Sequence, residues 1–245
     1  MSTKSQSEIP KFFETVDKNG QITVQLNPAW QKHIQNIRYD YYLKESGIPI
    51  DYWDIDFDSF PWEKSKESVS KCIKFSKEMT EEKFSHISLF LYGTNSSGKT
   101  SVQCAIGKAA IRHGLKVSFV LAGILTDLFF KVKGFKVEDE AKATLDKIQN
   151  SNLILIDDAF DKNKSTLWSG ENRGIIIGYW DSFLRDMISR GTRFVITSNF
   201  SIAEVGTSYG VSIKELLERN FVQLYFQDQV KFIRKNRLER VFEER

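Results

Sequence analysis

Apolar positions in this chain recur at two spacings, and the alternation between them runs through most of its length. "HISLFLYG" (86–93), "LKVSFVLA" (115–122), "NLILIDD" (152–158), "TRFVITSN" (192–199) and "FVQLYFQD" (221–228) are short apolar runs ending on turn or polar residues, and they predict buried strands. Between them, "KTSVQCAIGKAAIRHG", closed by Gly114, "ILTDLFFKV", "EDEAKATLDKIQN", "RGIIIGYWDSFLRDMISRG" and "SIKELLERN" predict helices. Strands alternating with helices predict an α/β fold, a parallel sheet covered on both faces. Upstream the pattern differs. "FFETVDKNGQITVQL" sets Asn19-Gly20 between two alternating runs and predicts a hairpin of the type I′ kind. A helix is expected next, with Asn27 as N-cap, Pro28 at its first position and Gly47 as its stop; a further, solvent-facing helix is expected from about 63 to 83.

All four prolines lie in the first quarter and most glycines beyond residue 90, so two units are expected: a small one over 1–65 and a larger one over 66–245. With 245 residues and 41% hydrophobic content the chain can bury a full core. Composition is otherwise quiet. The 35 Lys and Arg against 32 Asp and Glu leave +3, so bulk charge announces neither nucleic acid nor membrane. Cys72 and Cys104 stand far apart, and His33, His86 and His113 share no ligand spacing with them, which argues against zinc and against a disulfide scaffold. The polar start and the absence of a long apolar run point to a cytoplasmic protein.

Chemistry enters at "GTNSSGKTS". Gly93, Thr94, Asn95, Ser96, Ser97, Gly98, Lys99 and Thr100 fit the GxxxxGKT pattern, with Ser101 following, between a predicted strand and a predicted helix. That setting lets backbone N–H groups curl around phosphates, Lys99 reach them as a point charge, and the Thr100 hydroxyl ligate Mg²⁺. ATP and Mg²⁺ are therefore the expected ligands. "NLILIDD" delivers Asp157 and Asp158 to the same edge, the first for Mg²⁺ and the second to polarise an attacking water. Asn199, ending the next strand, is placed to orient that water. Arg219 by its letters alone is a helix-end charge.

In this order and spacing "YGTNSSGKT", "NLILIDD", "RFVITSNFS" and "KELLERN", preceded by "YYLKESGIP" and "YWDIDFDSF", resemble the DnaC/DnaI-type replicative helicase loaders and the related IstB transposition ATPases of the AAA+ superfamily. The resemblance spans roughly 40 to 240 and leaves residues 1 to 40 uncovered. It implies a P-loop (AAA+) fold with ATPase activity. Lys99 and Thr100 become the Walker A pair, Asp157 and Asp158 the Walker B pair, Asn199 sensor 1, and Arg219 an arginine finger acting on a neighbouring subunit. Asp158 departs from the glutamate common in AAA+ proteins, and slow or partner-stimulated turnover is expected from the shorter side chain. The short stretch after Asn199 leaves no room for a C-terminal helical lid, and Arg234 or Arg237 of the basic tail are candidates for late nucleotide contact.

The resemblance also frames the partners. A loader delivers a hexameric replicative DNA helicase to single-stranded DNA, and residues 1–65 are then the helicase-docking unit. Phe129, Phe130 and Phe135 interleave with Lys131, Lys133 and Lys136, a mixture suited to stacking bases and tracking a backbone; a helix with core phenylalanines and solvated lysines fits the same letters. Two alternatives stay open: an IstB-like ATPase working with a transposase on duplex DNA, and a nucleotide-switched binding module with negligible hydrolysis. The small size and lysine-rich composition suit a phage or mobile-element version.

Overall fold

In the computed structural model, residues 10–18, 21–59, 62–133, 137–161 and 171–227 are described. The chain separates into two compact units, Met1–Glu45 and Ser46–Arg245.

The smaller unit is a hairpin followed by a helix. Strands β1 (Phe13–Lys18) and β2 (Gln21–Leu26) pair antiparallel, with Phe13 opposite Leu26, Thr15 opposite Val24 and Asp17 opposite Ile22. Opposed residues share a face, so one side of the ribbon collects Phe13, Ile22, Val24 and Leu26, all exposed. The expected Asn19-Gly20 turn lies outside the described residues. Helix α1 (Pro28–Glu45) begins as expected: the Asn27 Oδ1 accepts the Ala29 N–H at 2.9 Å, which satisfies one of the orphan donors of the first turn. Phe12 meets Trp30 edge-on, with ring centroids 5.4 Å apart.

The larger unit holds a five-stranded sheet in the order β4-β5-β6-β3-β7, and every pair is parallel. Its strands are β3 (Ser88–Gly93), β4 (Val117–Leu121), β5 (Leu153–Asp157), β6 (Arg193–Ser198) and β7 (Phe221–Phe226). All residues of β5 and β6 are buried, as continuous apolar runs in a parallel sheet must be when helices cover both faces. Helices α2 (Lys66–Glu78) and α3 (Lys99–Arg112) pack together, α3 lying over β5 and β6. Gly107 permits that approach, since a Cβ there would sit 2.5 Å from the Leu155 side chain. Helices α4 (Ala122–Lys133), α5 (Asp139–Gln149), α6 (Glu171–Ser189), α7 (Ile202–Tyr209) and α8 (Val211–Asn220) contribute to a hydrophobic core around Phe129, Trp180, Phe183, Phe194 and Leu217. The Trp180 indole N–H, buried there, donates to Thr126 Oγ1 at 3.1 Å.

Two differences from expectation have physical causes. The compact units divide after Glu45 rather than near 65, and Ser46, Trp53, Ile55 and Asp56 are fastened to the larger unit. Ser46 O accepts the Phe119 N–H at 2.7 Å, and buried Lys108 binds the carbonyls of Trp53 (2.9 Å) and Ile55 and the Asp56 carboxylate (3.2 Å). Helix α7 was not anticipated. Its start is nevertheless written as a capping box, Ser201 Oγ accepting the Glu204 N–H while Glu204 accepts the Ser201 N–H. The tail carrying Arg234 and Arg237 lies outside the described residues, and among the described ones no helix is long and apolar enough to cross a membrane.

Candidate nucleotide-binding site

Strand β3 ends at Gly93, φ +138°, where a Cβ would lie 1.9 Å from Phe226 O; only glycine fits so close to the neighbouring strand. The loop then turns through Ser96 (φ +59°) and Gly98 (φ +84°) into α3. No side chain among the described residues caps this helix, and its first backbone bond is Val102 N–H to Gly98 O at 3.0 Å. The amides of Lys99, Thr100 and Ser101 precede that bond and are the orphan donors of the helix N-terminus. Together with the helix dipole they suit a phosphate. Lys99 is buried, and its Nζ donates to Gly93 O (3.1 Å), Thr94 O (2.7 Å), Ser97 Oγ (3.4 Å) and Asn199 Oδ1 (3.1 Å). Burial lowers its pKa to about 8 against the opposing pull of the Asp157 and Asp158 charges.

The strand order explains what else arrives. Because β6 lies between β3 and β5, the ends of all three strands converge on one edge. Thr100 Oγ1 donates to Asp157 Oδ1 at 2.9 Å, and Asn199 Nδ2 reaches Asp158 Oδ1 at 3.4 Å. The expected neighbourhood of Asn199 and Asp158 is therefore present. Burial raises the Asp157 pKa, opposed by the hydroxyls of Thr197 and Thr100. A hydroxyl and a carboxylate in contact at a phosphate loop match the hard-oxygen set of Mg²⁺, which binds few protein ligands and completes its shell with water and phosphate. No group of three or more His, Cys, Asp or Glu suited to a metal occurs among the described residues.

Sequence reasoning missed Thr197 and Gln103. Thr197 Oγ1 donates to Asp157 Oδ1 at 2.5 Å, and buried Gln103 of α3 donates through Nε2 to Ile156 O (2.9 Å) and Val195 O (2.7 Å), tying the loop helix to β5 and β6. Strand alternation held a clue for Thr197, two residues before Asn199 and so on the same face. Nothing in the letters marked Gln103.

Arg219 stands apart from this cluster within the chain. In the last turn of α8 its side chain is 77% exposed, and the guanidinium pairs with Glu215 at 3.4 Å. The aromatic and basic stretch divides. Phe129 is 2% exposed, its ring among Tyr179, Trp180 and Phe183, so it packs the core and has no face to offer a base; the expectation for this residue is corrected. Phe130 is 39% exposed and stands edge-on to Tyr179 at 6.0 Å, while the Lys133 ammonium lies 4.8 Å from the Tyr179 ring centroid. Lys131 pairs with Glu138 at 3.2 Å. Phe135 and Lys136 lie outside the described residues.

Comparison with known proteins places these features in context. The model of the IstB-like ATP binding protein family matches residues 56–169. Among solved structures, the DnaC helicase loader is 19% identical with a TM-score of 0.54, covering 73% of this chain and 99% of that one. DnaI is 15% identical with a TM-score of 0.58, covering 73% and 94%. The replication initiator DnaA bound to AMPPCP and single-stranded DNA is 14% identical with a TM-score of 0.54, covering 72% of this chain and 51% of that one. At such identities the likeness is one of fold. No curated protein sequence matches the chain.

Proposed function

We propose, from the premise that the chain carries an ATP-binding domain of the DnaC/IstB-like AAA+ clade, that it is an ATP-dependent loader of a replicative helicase. The observation that carries this reading is the convergence of Lys99 and Thr100, Asp157 and Asp158, and Asn199 on one edge of the sheet while Arg219 stays exposed. In use, Lys99 exchanges its loop carbonyls for the β and γ phosphates. Thr100 and Asp157 would hold Mg²⁺, which would neutralise charge on the phosphates. Asp158 and Asn199 orient the attacking water. Arg219 acts across a subunit boundary, supplying positive charge to a neighbour's transferring phosphoryl group, which makes self-association part of the activity. As an aspartate, Asp158 reaches less far than a glutamate, and this supports slow or partner-stimulated hydrolysis.

For partners, the exposed face of Phe13, Ile22, Val24 and Leu26 supports docking of the helicase on the smaller unit, since a two-stranded ribbon with an uncovered apolar side gains most by burial against another protein. Phe130, Lys131 and Lys133, joined by Tyr179, support single-stranded DNA binding on the larger unit. The family match also favours a second reading, an IstB-like ATPase engaging a transposase on duplex DNA.

The full chain, mixed with a purified hexameric replicative helicase, should co-elute from a sizing column in ATP and transfer the helicase onto single-stranded circles. Binding to a transposase instead, with preference for duplex, would move the assignment to the second reading. Arg219→Ala should keep nucleotide affinity and lose hydrolysis. Mixing it with Lys99→Ala should restore part of the activity, because an intact arginine then faces an intact loop; no recovery would argue against action in trans.

A further inference from the structure

Thr197 is the next-to-last residue of β6 and is 2% exposed. The β5–β6 ladder ends with Ile156 opposite Ile196, so the chain from Asp157 onward has left regular pairing with β6. Thr197 takes over there. Its carbonyl accepts the Ala159 N–H at 2.8 Å, its Oγ1 accepts the Asp158 N–H at 2.9 Å, and the same hydroxyl donates to Asp157 Oδ1 at 2.5 Å. One residue thereby engages three consecutive residues beyond the last ladder pair. The segment needs such support, because Asp158 (φ +55°) and Phe160 (φ +60°) are left-handed without being glycine, a conformation that persists only where the surroundings fix it.

We infer that Thr197 is a positioning residue for the nucleotide site. Its hydroxyl fixes the metal-side carboxylate of Asp157 and the water-side residue Asp158 as one unit. This rests on reading the site as one for ATP and Mg²⁺. Asp157 Oδ1 accepts hydroxyl protons from both Thr100 and Thr197, so the carboxylate is oriented from two sides before any ligand arrives. The lone-pair side of that Thr197 oxygen simultaneously holds the Asp158 backbone. A shift of either acid is therefore transmitted to the other through a single atom. Residues of this kind behind a metal ligand set affinity through orientation rather than contact.

The test uses the full chain with Thr197→Val, which keeps the shape and removes the hydroxyl, and Thr197→Ser, which keeps the hydroxyl. Fluorescent MANT-ATP is titrated in EDTA and again across a Mg²⁺ series, with kcat and KM measured alongside. Thr197→Val should bind nucleotide in EDTA within about twofold of wild type, because the loop is untouched, yet need about tenfold more Mg²⁺ for half its effect. Its kcat should fall at a nearly constant KM, and Thr197→Ser should behave as wild type. An unchanged Mg²⁺ requirement in Thr197→Val overturns the inference, as does a Thr197→Ser variant as impaired as the valine, or an equal loss of binding in EDTA. Should the valine variant not fold, Thr197→Cys, with its weaker hydrogen bonds, replaces it under the same criteria. If wild type binds no MANT-ATP in either condition, the reading of the site itself fails and this inference with it.

Discussion

Phe129 and Phe130 are adjacent in sequence, and truncating each should produce opposite results. Phe129 is 2% exposed and touches three aromatic rings, so Phe129→Ala removes a large buried side chain and leaves a cavity between α4 and α6. Such truncations cost about 3–5 kcal/mol. Phe130 is 39% exposed and has the Tyr179 ring as its aromatic neighbour, so Phe130→Ala should cost about 1–2 kcal/mol, scaling full burial by the fraction it hides. If single-stranded DNA stacks there, the loss per base of about 1–3 kcal/mol corresponds to roughly 5- to 150-fold weaker binding. Urea denaturation and fluorescence anisotropy with a labelled oligothymidine separate the two effects. Phe129→Ala should lower the unfolding midpoint strongly, and Phe130→Ala should weaken DNA binding with a clearly smaller drop in the midpoint. A Phe130→Ala protein with wild-type affinity would refute stacking at this surface, and a Phe129→Ala protein of unchanged stability would refute its place in the core.

Lys108 and Lys99 supply two further expectations. The Lys108 side chain is wholly buried between two carbonyls and Asp56, whereas Asp56 is 57% exposed; Lys108→Met should therefore cost about 1–3 kcal/mol by removing the donor of two half-buried carbonyls, and Asp56→Asn about 1 kcal/mol or less, both read from urea midpoints. Lys99 should make nucleotide affinity fall as pH rises above about 8, up to tenfold per unit, because the phosphates bind the ammonium and the free protein has lost that proton. Between about 8 and the ordinary lysine value of 10.5 the unfolded chain holds the proton that the folded chain has released, so the stability of the free protein should rise with pH over the same window. Thermal melts and MANT-ATP titrations from pH 7 to 10 check both signs, and a flat binding profile would contradict the lowered Lys99 pKa.

What the sequence disclosed and what it withheld divide along the range of the interactions. Strand runs, the phosphate loop and the paired aspartates were legible because each is local: apolar period, glycine punctuation and a carboxylate at a strand end lie within a few residues of one another. The attachment of Trp53, Ile55 and Asp56 to the larger unit was not legible, because it involves Lys108, some 50 residues away, whose letter among the helix residues looks like one more solvated cation. Phe129 and Phe130 were indistinguishable for a related reason, since one residue of rotation decides which ring meets Trp180. Helix α7 is the exception: its Ser201–Glu204 box was local and readable, but Gly206 and a run of weak helix formers obscured it.

The site itself combines both ranges. Apart from Gln103 inside α3, its polar residues lie at or near the end of a strand or the start of a helix, so their place along the chain could be read, but the contacts joining them come from the order of strands. With β6 inserted between β3 and β5, Lys99 meets Asn199, Asn199 meets Asp158, and Thr197 joins Asp158 to Asp157, which in turn takes Thr100. The path closes on itself, because Thr100 follows Lys99 in α3. A phosphate that drew Lys99 away from Asn199 would therefore act at one end of a connected chain, with Asp158 at the next link. Had β5 adjoined β3 directly, the same letters would place Asn199 and Thr197 outside that path, and Lys99 would have only the loop to leave.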